Sequence, residues 1–281
     1  MKLLVFGQSG QVATELQKLP HDITALSRAE ADLSDPQSCA AATAASDAQA
    51  VINAAAYTAV DRAEEEERLA TQINGTAPGA MAEACAARGL PFLHVSTDYV
   101  FDGSGTAPWR PTDKAAPLNA YGRSKLAGES AIAAAGGQYA ILRTSWVFSA
   151  HGANFVKTML RLSETRDSLS IVNDQTGGPT PASAIAQALV TMAKAMIAGH
   201  PAGTYHFSGA PAASWAGFAA EIFRLAGRNT KITGIPTADY PTPARRPLNS
   251  RLDCASLEAD FGIKQPAWKS ALSDVVKELL T

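Results

Sequence analysis

Residues 1–6 (MKLLVF) form an unbroken apolar run that passes straight into Gly7-x-x-Gly10 and then into a helical pattern over 14–19. A continuous apolar run is the pattern of a strand buried on both faces, as in parallel sheets covered by helices. Gly7 permits a tight turn after the strand. Gly10 lets the backbone approach a pyrophosphate held at a helix N-terminus. The spacing Gly-x-x-Gly-x-x-Ala differs by one residue from the common dinucleotide fingerprint and has Ala13 in place of its third glycine. Its position between a strand and a helix favours a dinucleotide site, with an ordinary strand-to-helix turn as the alternative.

Short strand patterns recur at 22–26, 50–53, 91–96 and 139–143, separated by helical stretches. This alternation predicts an α/β fold, a Rossmann-like doubly wound parallel sheet whose ligands lie at the strands' C-terminal edges. The second strand ends at Ser27-Arg28, and an arginine there can accept a ribose 2′-phosphate, which points to NADPH; a solvated loop arginine is the alternative. Asp32-Leu33 could flank the adenine. Ala54-Ala55-Ala56, ahead of Tyr57, leave room for a flat ligand. The charge run from Asp61 to Arg68 predicts the exposed start of a long helix reaching residue 88, with no functional weight on Glu64 to Glu67. Asn74 falls inside that helix, where its amide could reach active-site backbone or solvent. His94, within an apolar strand, reads as a satisfied core histidine.

The fourth strand delivers Ser96-Thr97-Asp98-Tyr99, and further on stands Tyr121-Gly122-Arg123-Ser124-Lys125. Helix formers over 120–135 place the second motif at the start of a helix, where residues four apart share a face. Tyr121 and Lys125 are then side by side, and an ammonium beside a phenol lowers its pKa from about 10 towards the working range. The Thr97 hydroxyl could hold a substrate oxygen where negative charge develops. A half-buried tyrosine with a surface lysine is the bland alternative. Together with the N-terminal turn, the motifs describe a carbonyl-reducing centre.

Beyond about residue 149 the pattern changes to helices at 154–166, 181–198 and 215–227 and strands at 168–172, 203–208 and 230–235. The expected division is a dinucleotide-binding domain over 1–149, with 171–199 packing back on it, and a smaller α/β part over 150–281 that binds mainly substrate. Pro236, Pro241, Pro243 and Pro247 mark an extended segment whose Arg245-Arg246 suits a phosphate or diphosphate, surface arginines being the alternative. A net charge of −2 gives no basic field for nucleic acid. No apolar run reaches membrane-span length, and no signal-peptide pattern opens the chain. The three cysteines have no metal-ligand spacing and read as reduced thiols, so the expected location is the cytoplasm. A serine hydrolase at Ser96 or Ser104 lacks the Gly-x-Ser-x-Gly elbow.

Six motifs in this order resemble the dTDP-4-dehydrorhamnose reductases, extended short-chain dehydrogenases/reductases, over essentially the whole chain. They are Gly7-x-x-Gly10-Gln-Val, Asn53-Ala-Ala-Ala-Tyr-Thr-Ala-Val-Asp61, Ser96-Thr-Asp-Tyr-Val-Phe101, Pro117-Leu-Asn-x-Tyr-Gly-x-Ser-Lys-Leu-Ala-Gly-Glu129, Arg143-Thr-Ser-Trp-Val147 and Arg246-Pro-x-Asn-Ser250. The resemblance implies hydride delivery from NADPH (or NADH) to C4 of a dTDP-4-keto sugar, giving dTDP-L-rhamnose. It implies Tyr121 as proton donor, Lys125 tuning it and binding the nicotinamide ribose, and Thr97 at the carbonyl oxygen. Gly7, Gly10, Gln11, Val12, Asp32, Leu33, Ala54, Ala55, Ala56 and Tyr57 would line the cofactor, with Arg28 near its ribose. Asp98, Trp146, Arg246, Asn249 and Ser250 would meet the substrate. Some members form a magnesium-bridged homodimer through glutamates; this chain has Glu15 in the first helix but Pro181-Ala182-Ser183 where another acid stands. Magnesium and the homodimer are therefore left open. So are a related nucleotide 4-keto sugar giving another epimer, and a cofactor-binding regulatory subunit without turnover.

Overall fold

The computed structural model describes residues 1–200 and 203–281. The first half runs β1 (Lys2–Phe6), α1 (Gln11–Gln17), β2 (Asp22–Leu26), α2 (Pro36–Ala45), β3 (Ala50–Asn53), α3 (Glu67–Thr71), α4 (Ala77–Ala87), β4 (Phe92–Thr97), α5 (Ala120–Ala134) and β5 (Tyr139–Thr144). It continues through β6 (Val147–Phe148), α6 (Phe155–Ser163), β7 (Ser168–Val172), β8 (Thr176–Gly177), β9 (Thr180–Pro181), α7 (Ala182–Ile197) and β10 (Gly203–His206). The chain ends with β11 (Ala213–Ser214), α8 (Trp215–Leu225), β12 (Lys231–Ile235), β13 (Asn249–Ser250), α9 (Ala255–Phe261) and α10 (Trp268–Leu280).

The main sheet has six strands in the order β10-β5-β4-β3-β1-β2, and every pair is parallel. Successive side chains on a strand point to opposite faces, and the apolar runs supply both. Leu3, Val5, Ile52, Leu93 and Leu142 pack with Leu16, Ile185, Leu189 and Met192 of α1 and α7. Leu4, Phe6, Val51, Phe92 and Ile141 pack with Met81, Cys85 and Ile132 on the other face. This is the expected doubly wound fold. Strand order reverses between β1 and β3, where Phe6 lies beside Asn53, so a crevice opens outside the carboxyl ends of these strands. Thr97 and Thr144 are paired at the ends of β4 and β5.

The long helix expected from 61 to 88 starts later, at residue 67, and runs to 87 with one π-turn inside it. A 3₁₀ turn (Arg62–Glu64) and α3 lead into a π-turn over Gln72–Thr76 before α4 begins. The cause is Pro78, which has no N–H for the carbonyl of Asn74 four residues earlier. Asn74 lies in this π-turn and is 1% exposed.

After residue 149 the chain returns twice to the main body. Helix α7 packs on α1, and β10 adds the sixth strand beside β5. The remainder builds its own core, in which Phe148, Val156, Leu160, Phe218, Ile222, Trp268 and Leu272 join α6, α8 and α10. The small sheet β11-β8-β13 carries Asn249 and Ser250 back towards the main sheet. No helix among the described residues is long and apolar enough to cross a membrane.

Candidate active site

The N-terminal turn has the shape the glycines predicted. Gly7 has φ of 105°, a left-handed conformation that L side chains rarely adopt, and a Cβ there would lie 3.3 Å from that of Ala55. The turn thus lies against Ala54 and Ala55, both partly exposed, and no side chain among the described residues caps the start of α1. This is a backbone cradle of the kind a pyrophosphate requires, so these residues fit a dinucleotide. Val12 and Leu33 are buried in the two sheet-face cores. Gln11 is a clamp: its Oε1 accepts from Ser149 Oγ and Asn154 Nδ2, each at 3.0 Å. Asp32 accepts from the Ser34 N–H at 2.8 Å and from Arg28 Nε at 3.2 Å, leaving the Arg28 side chain exposed.

Tyr57 is held from both sides. Its N–H donates to Asn74 Oδ1 at 2.8 Å, its carbonyl accepts from Asn74 Nδ2 at 3.0 Å, and its hydroxyl donates to Glu66 Oε2 at 2.7 Å. Asn74 Nδ2 also donates to Ser124 Oγ at 2.9 Å, tying the cofactor-side loop to α5. The acids that carried no functional weight in sequence turn out to brace the site. Glu64 accepts from the Ala120 N–H at 2.8 Å, and Glu67 forks onto Arg123 at 2.7 and 2.9 Å.

Helix α5 starts where Asn119 Oδ1 accepts from the Gly122 N–H at 2.8 Å. Gly122 has no room for a side chain, since a Cβ would collide with the Tyr99 carbonyl. This close approach brings Tyr121 edge-on to Tyr99, with ring centroids 5.7 Å apart. The Thr97 hydroxyl accepts from the Tyr99 N–H at 3.2 Å and donates to Asp98 Oδ1 at 3.1 Å, and it lies close to the Tyr121 phenol. Burial, with the charge of Asp98, pushes the Tyr121 phenol up to about 12, and the nearby Thr97 hydroxyl opposes that.

Lys125 stands one turn further along α5. The lysine is not a surface group: it is 1% exposed, and its Nζ donates to the Val95 carbonyl at 2.7 Å and contacts His94 Nε2 at 2.9 Å. Burial pushes the lysine down to about 7, with Glu129 opposing. Tyr121, raised to about 12, keeps its proton at neutral pH, the state a proton donor needs.

Asp98 is 3% exposed, and burial raises its carboxyl to about 6 against hydrogen bonds from Ser250 and Thr97. Its Oδ2 has no partner among the described residues, and neither has the buried Thr144 Oγ1. Buried polar atoms are normally paired, so these two mark places where a bound molecule can supply the partner. Thr144 carried no signal in the sequence beyond its position at a strand end.

The other substrate candidates are placed as follows. Trp146 has φ of 48° and stacks on Trp215 at 3.6 Å, with Gly177 against its indole. Arg246 pairs with Asp61 at 2.8 Å. Asn249 uses its side chain structurally, donating to the Ala107 carbonyl at 2.8 Å and accepting from Arg251 Nε at 2.9 Å. Glu15 lies 3.0 Å from Lys18 Nζ and 3.2 Å from His151 Nε2, and no cluster of three or more metal-ligating side chains occurs among the described residues.

Comparison with known proteins covers the whole chain. The RmlD substrate binding domain model matches residues 1–281. The dTDP-4-dehydrorhamnose reductase of Sinorhizobium fredii is 45% identical, over 100% of this chain and 98% of that protein. The crystal structure of a Clostridium acetobutylicum dTDP-4-dehydrorhamnose reductase superposes with a TM-score of 0.93 at 35% identity, over 100% of both chains. That of the Bacillus anthracis reductase in complex with NADP gives 0.91 at 33% identity, over 99% of both.

Proposed function

The chain belongs to the dTDP-4-dehydrorhamnose reductase family, and from that premise we propose that it reduces the C4 keto group of dTDP-4-dehydrorhamnose to give dTDP-L-rhamnose. The observation that carries the reading is the Tyr121 phenol set close to the Thr97 hydroxyl at the carboxyl edge of β4, beside the unpartnered Asp98 Oδ2.

NADPH, when bound along the Gly7–Gly10 turn and Ala54 to Tyr57, supplies the hydride. Tyr121 gives its phenolic proton to the substrate oxygen and is reprotonated from solvent. The Thr97 hydroxyl holds that oxygen as negative charge builds on it. Lys125 serves the nicotinamide ribose. Arg28, on the exposed turn after β2, supports NADPH over NADH. Trp146 offers its indole to the sugar, and Arg246 with Ser250 lies on the diphosphate side.

In domain terms, 1–149 with α7 and β10 binds the cofactor, and the rest of 150–281 binds mainly the nucleotide sugar. Net charge of −2 supports a small-molecule role over nucleic acid, and three free buried cysteines support a reducing, cytoplasmic setting.

The test is loss of NADPH absorbance with dTDP-4-keto-6-deoxyglucose and the 3,5-epimerase, for wild type and Tyr121→Phe. Turnover falling at least about a hundredfold in the variant is the expected result, that being the scale of a proton donor. Tight NADPH binding without turnover would overturn the reading in favour of a regulatory subunit. Product stereochemistry would expose a different epimer.

A further inference from the structure

His94 takes no part in the reaction described above, yet it is wholly buried with both ring nitrogens in contact with polar partners. Asn53 Nδ2 lies 3.1 Å from His94 Nδ1, and Lys125 Nζ lies 2.9 Å from His94 Nε2. The orientation of the asparagine is fixed, because its Oδ1 accepts from the Ala55 N–H at 3.1 Å. Turning the amide over would set its NH2 group against that N–H, donor to donor. With Nδ2 facing the ring, His94 Nδ1 has to be the acceptor. A neutral imidazole then carries its proton on Nε2, aimed at Lys125. Only an unprotonated amine has a lone pair to receive it, and the amine's own N–H donates to the Val95 carbonyl at 2.7 Å.

We propose that Asn53 and His94 form a tautomer lock that holds Lys125 as a neutral amine in the cofactor-free protein, making His94 a positioning residue of the reductase centre. The role of Lys125 in reduction rests on the function proposed above; the lock itself rests on the hydrogen bonds alone.

The charged and titratable groups around the amine agree with the lock. From α5 come Tyr121, which keeps its proton, and Glu129. From β5 comes Arg143, which binds Glu129 with Nη2 at 2.6 Å from Oε2, and the charge of Glu129 opposes the effect of burial on Lys125 without cancelling it. From β4 comes His94, which burial keeps well below the usual histidine range. Asp98, after β4, is raised to about 6. Burial acts the same way on Lys125, which is pushed down to about 7. Forming the ammonium that would serve a ribose hydroxyl then requires a proton taken from solvent and a break from His94 Nε2.

The test is long-range 1H–15N correlation on cofactor-free protein labelled at histidine nitrogen, with His94→Gln identifying the signal. The expected result is a neutral His94 protonated on Nε2 from pH 8 to 9, where Lys125 is an unprotonated amine. Asn53→Asp places acceptors against the ring, so the proton moves to Nδ1, and the Lys125 titration, followed at its ε-carbon, rises by about one pH unit. A wild-type His94 protonated on Nδ1, or an imidazolium at neutral pH, would overturn the lock. If Asn53→Asp does not fold, the wild-type tautomer decides alone. Failure of the lock leaves turnover untouched, whereas failure of the reductase reading appears as NADPH binding without oxidation.

Discussion

Arg246 forks onto Asp61 across 185 positions of the chain, Nη1 to Oδ1 at 3.0 Å and Nη2 to Oδ2 at 2.8 Å. Asp61 also accepts from the Ala244 N–H at 3.2 Å, so one carboxylate anchors the proline-rich segment to the cofactor half. The paired guanidinium holds Asp61 below the usual carboxylate range.

Asp61→Ala should therefore act on substrate binding and not on chemistry. The carboxylate is partly exposed, so solvent screening limits the loss to about 1 kcal/mol, or about fivefold in KM for the nucleotide sugar, with kcat nearly unchanged. Steady-state kinetics check this. A fall in kcat at constant KM would show that Asp61 acts in the reaction itself.

Thr97→Val keeps the side-chain shape and removes two hydrogen bonds, to the Tyr99 N–H and Asp98. The 3₁₀ turn after β4 loses its cap, which should lower stability by about 1 kcal/mol. Loss of the group facing the developing charge should lower kcat on the order of a hundredfold. Thermal unfolding and single-turnover kinetics separate the two effects.

Asp98 gives a pH signature. Its folded-state value is raised to about 6 from an ordinary 3.8. Between those values the folded chain binds more protons than the unfolded one, so Asp98's contribution to stability is present below pH 4 and lost as pH rises through 6. Asp98→Asn removes that loss and should unfold at higher denaturant than wild type at pH 8, by on the order of 1 kcal/mol, with the gap narrowing from pH 6 to 4. Denaturant midpoints at pH 4, 6 and 8 decide it, and a gap that is constant with pH would sink the account.

Much of this site was legible in the chain because its signals are local. The apolar run before Gly7 specifies a buried parallel strand, and Tyr121 with Lys125 share a helix, so spacing alone places them. What escaped the sequence depends on contacts between distant elements. Lys125 looks like a surface lysine from its neighbours, and only the packing of α5 on β4 shows that it is buried beside His94. For Asn74 the sequence offers active-site backbone or solvent, and only the fold decides for the backbone of Tyr57. Glu64 and Glu67 read as a solvated charge run, because their partners Ala120 and Arg123 lie 56 residues away. The motif holding Asn249 says nothing of the loop its side chain closes, because Ala107 lies 142 residues away.

Glycines in helices provide the last test, because one substitution should have opposite signs at two places. Gly217, near the start of α8, has only Ser214 Oγ near the position of a Cβ, at 3.4 Å. Gly217→Ala should be neutral or stabilising by up to about 1 kcal/mol, the helix preference for alanine. Gly128 lies inside α5, where a Cβ would run into the Asn74 backbone carbonyl. That oxygen belongs to the π-turn and cannot swing away as a side-chain tip can. Gly128→Ala should therefore cost about 1–3 kcal/mol despite the same helix preference. It should also displace Asn74, whose amide holds Tyr57 by both its N–H and its carbonyl. NADPH affinity would then fall together with the melting temperature, as fluorescence titration and thermal unfolding of the two variants would reveal. Equal melting temperatures for Gly128→Ala and Gly217→Ala would mean that α5 can move off the π-turn, and the close approach would no longer explain why a glycine stands there.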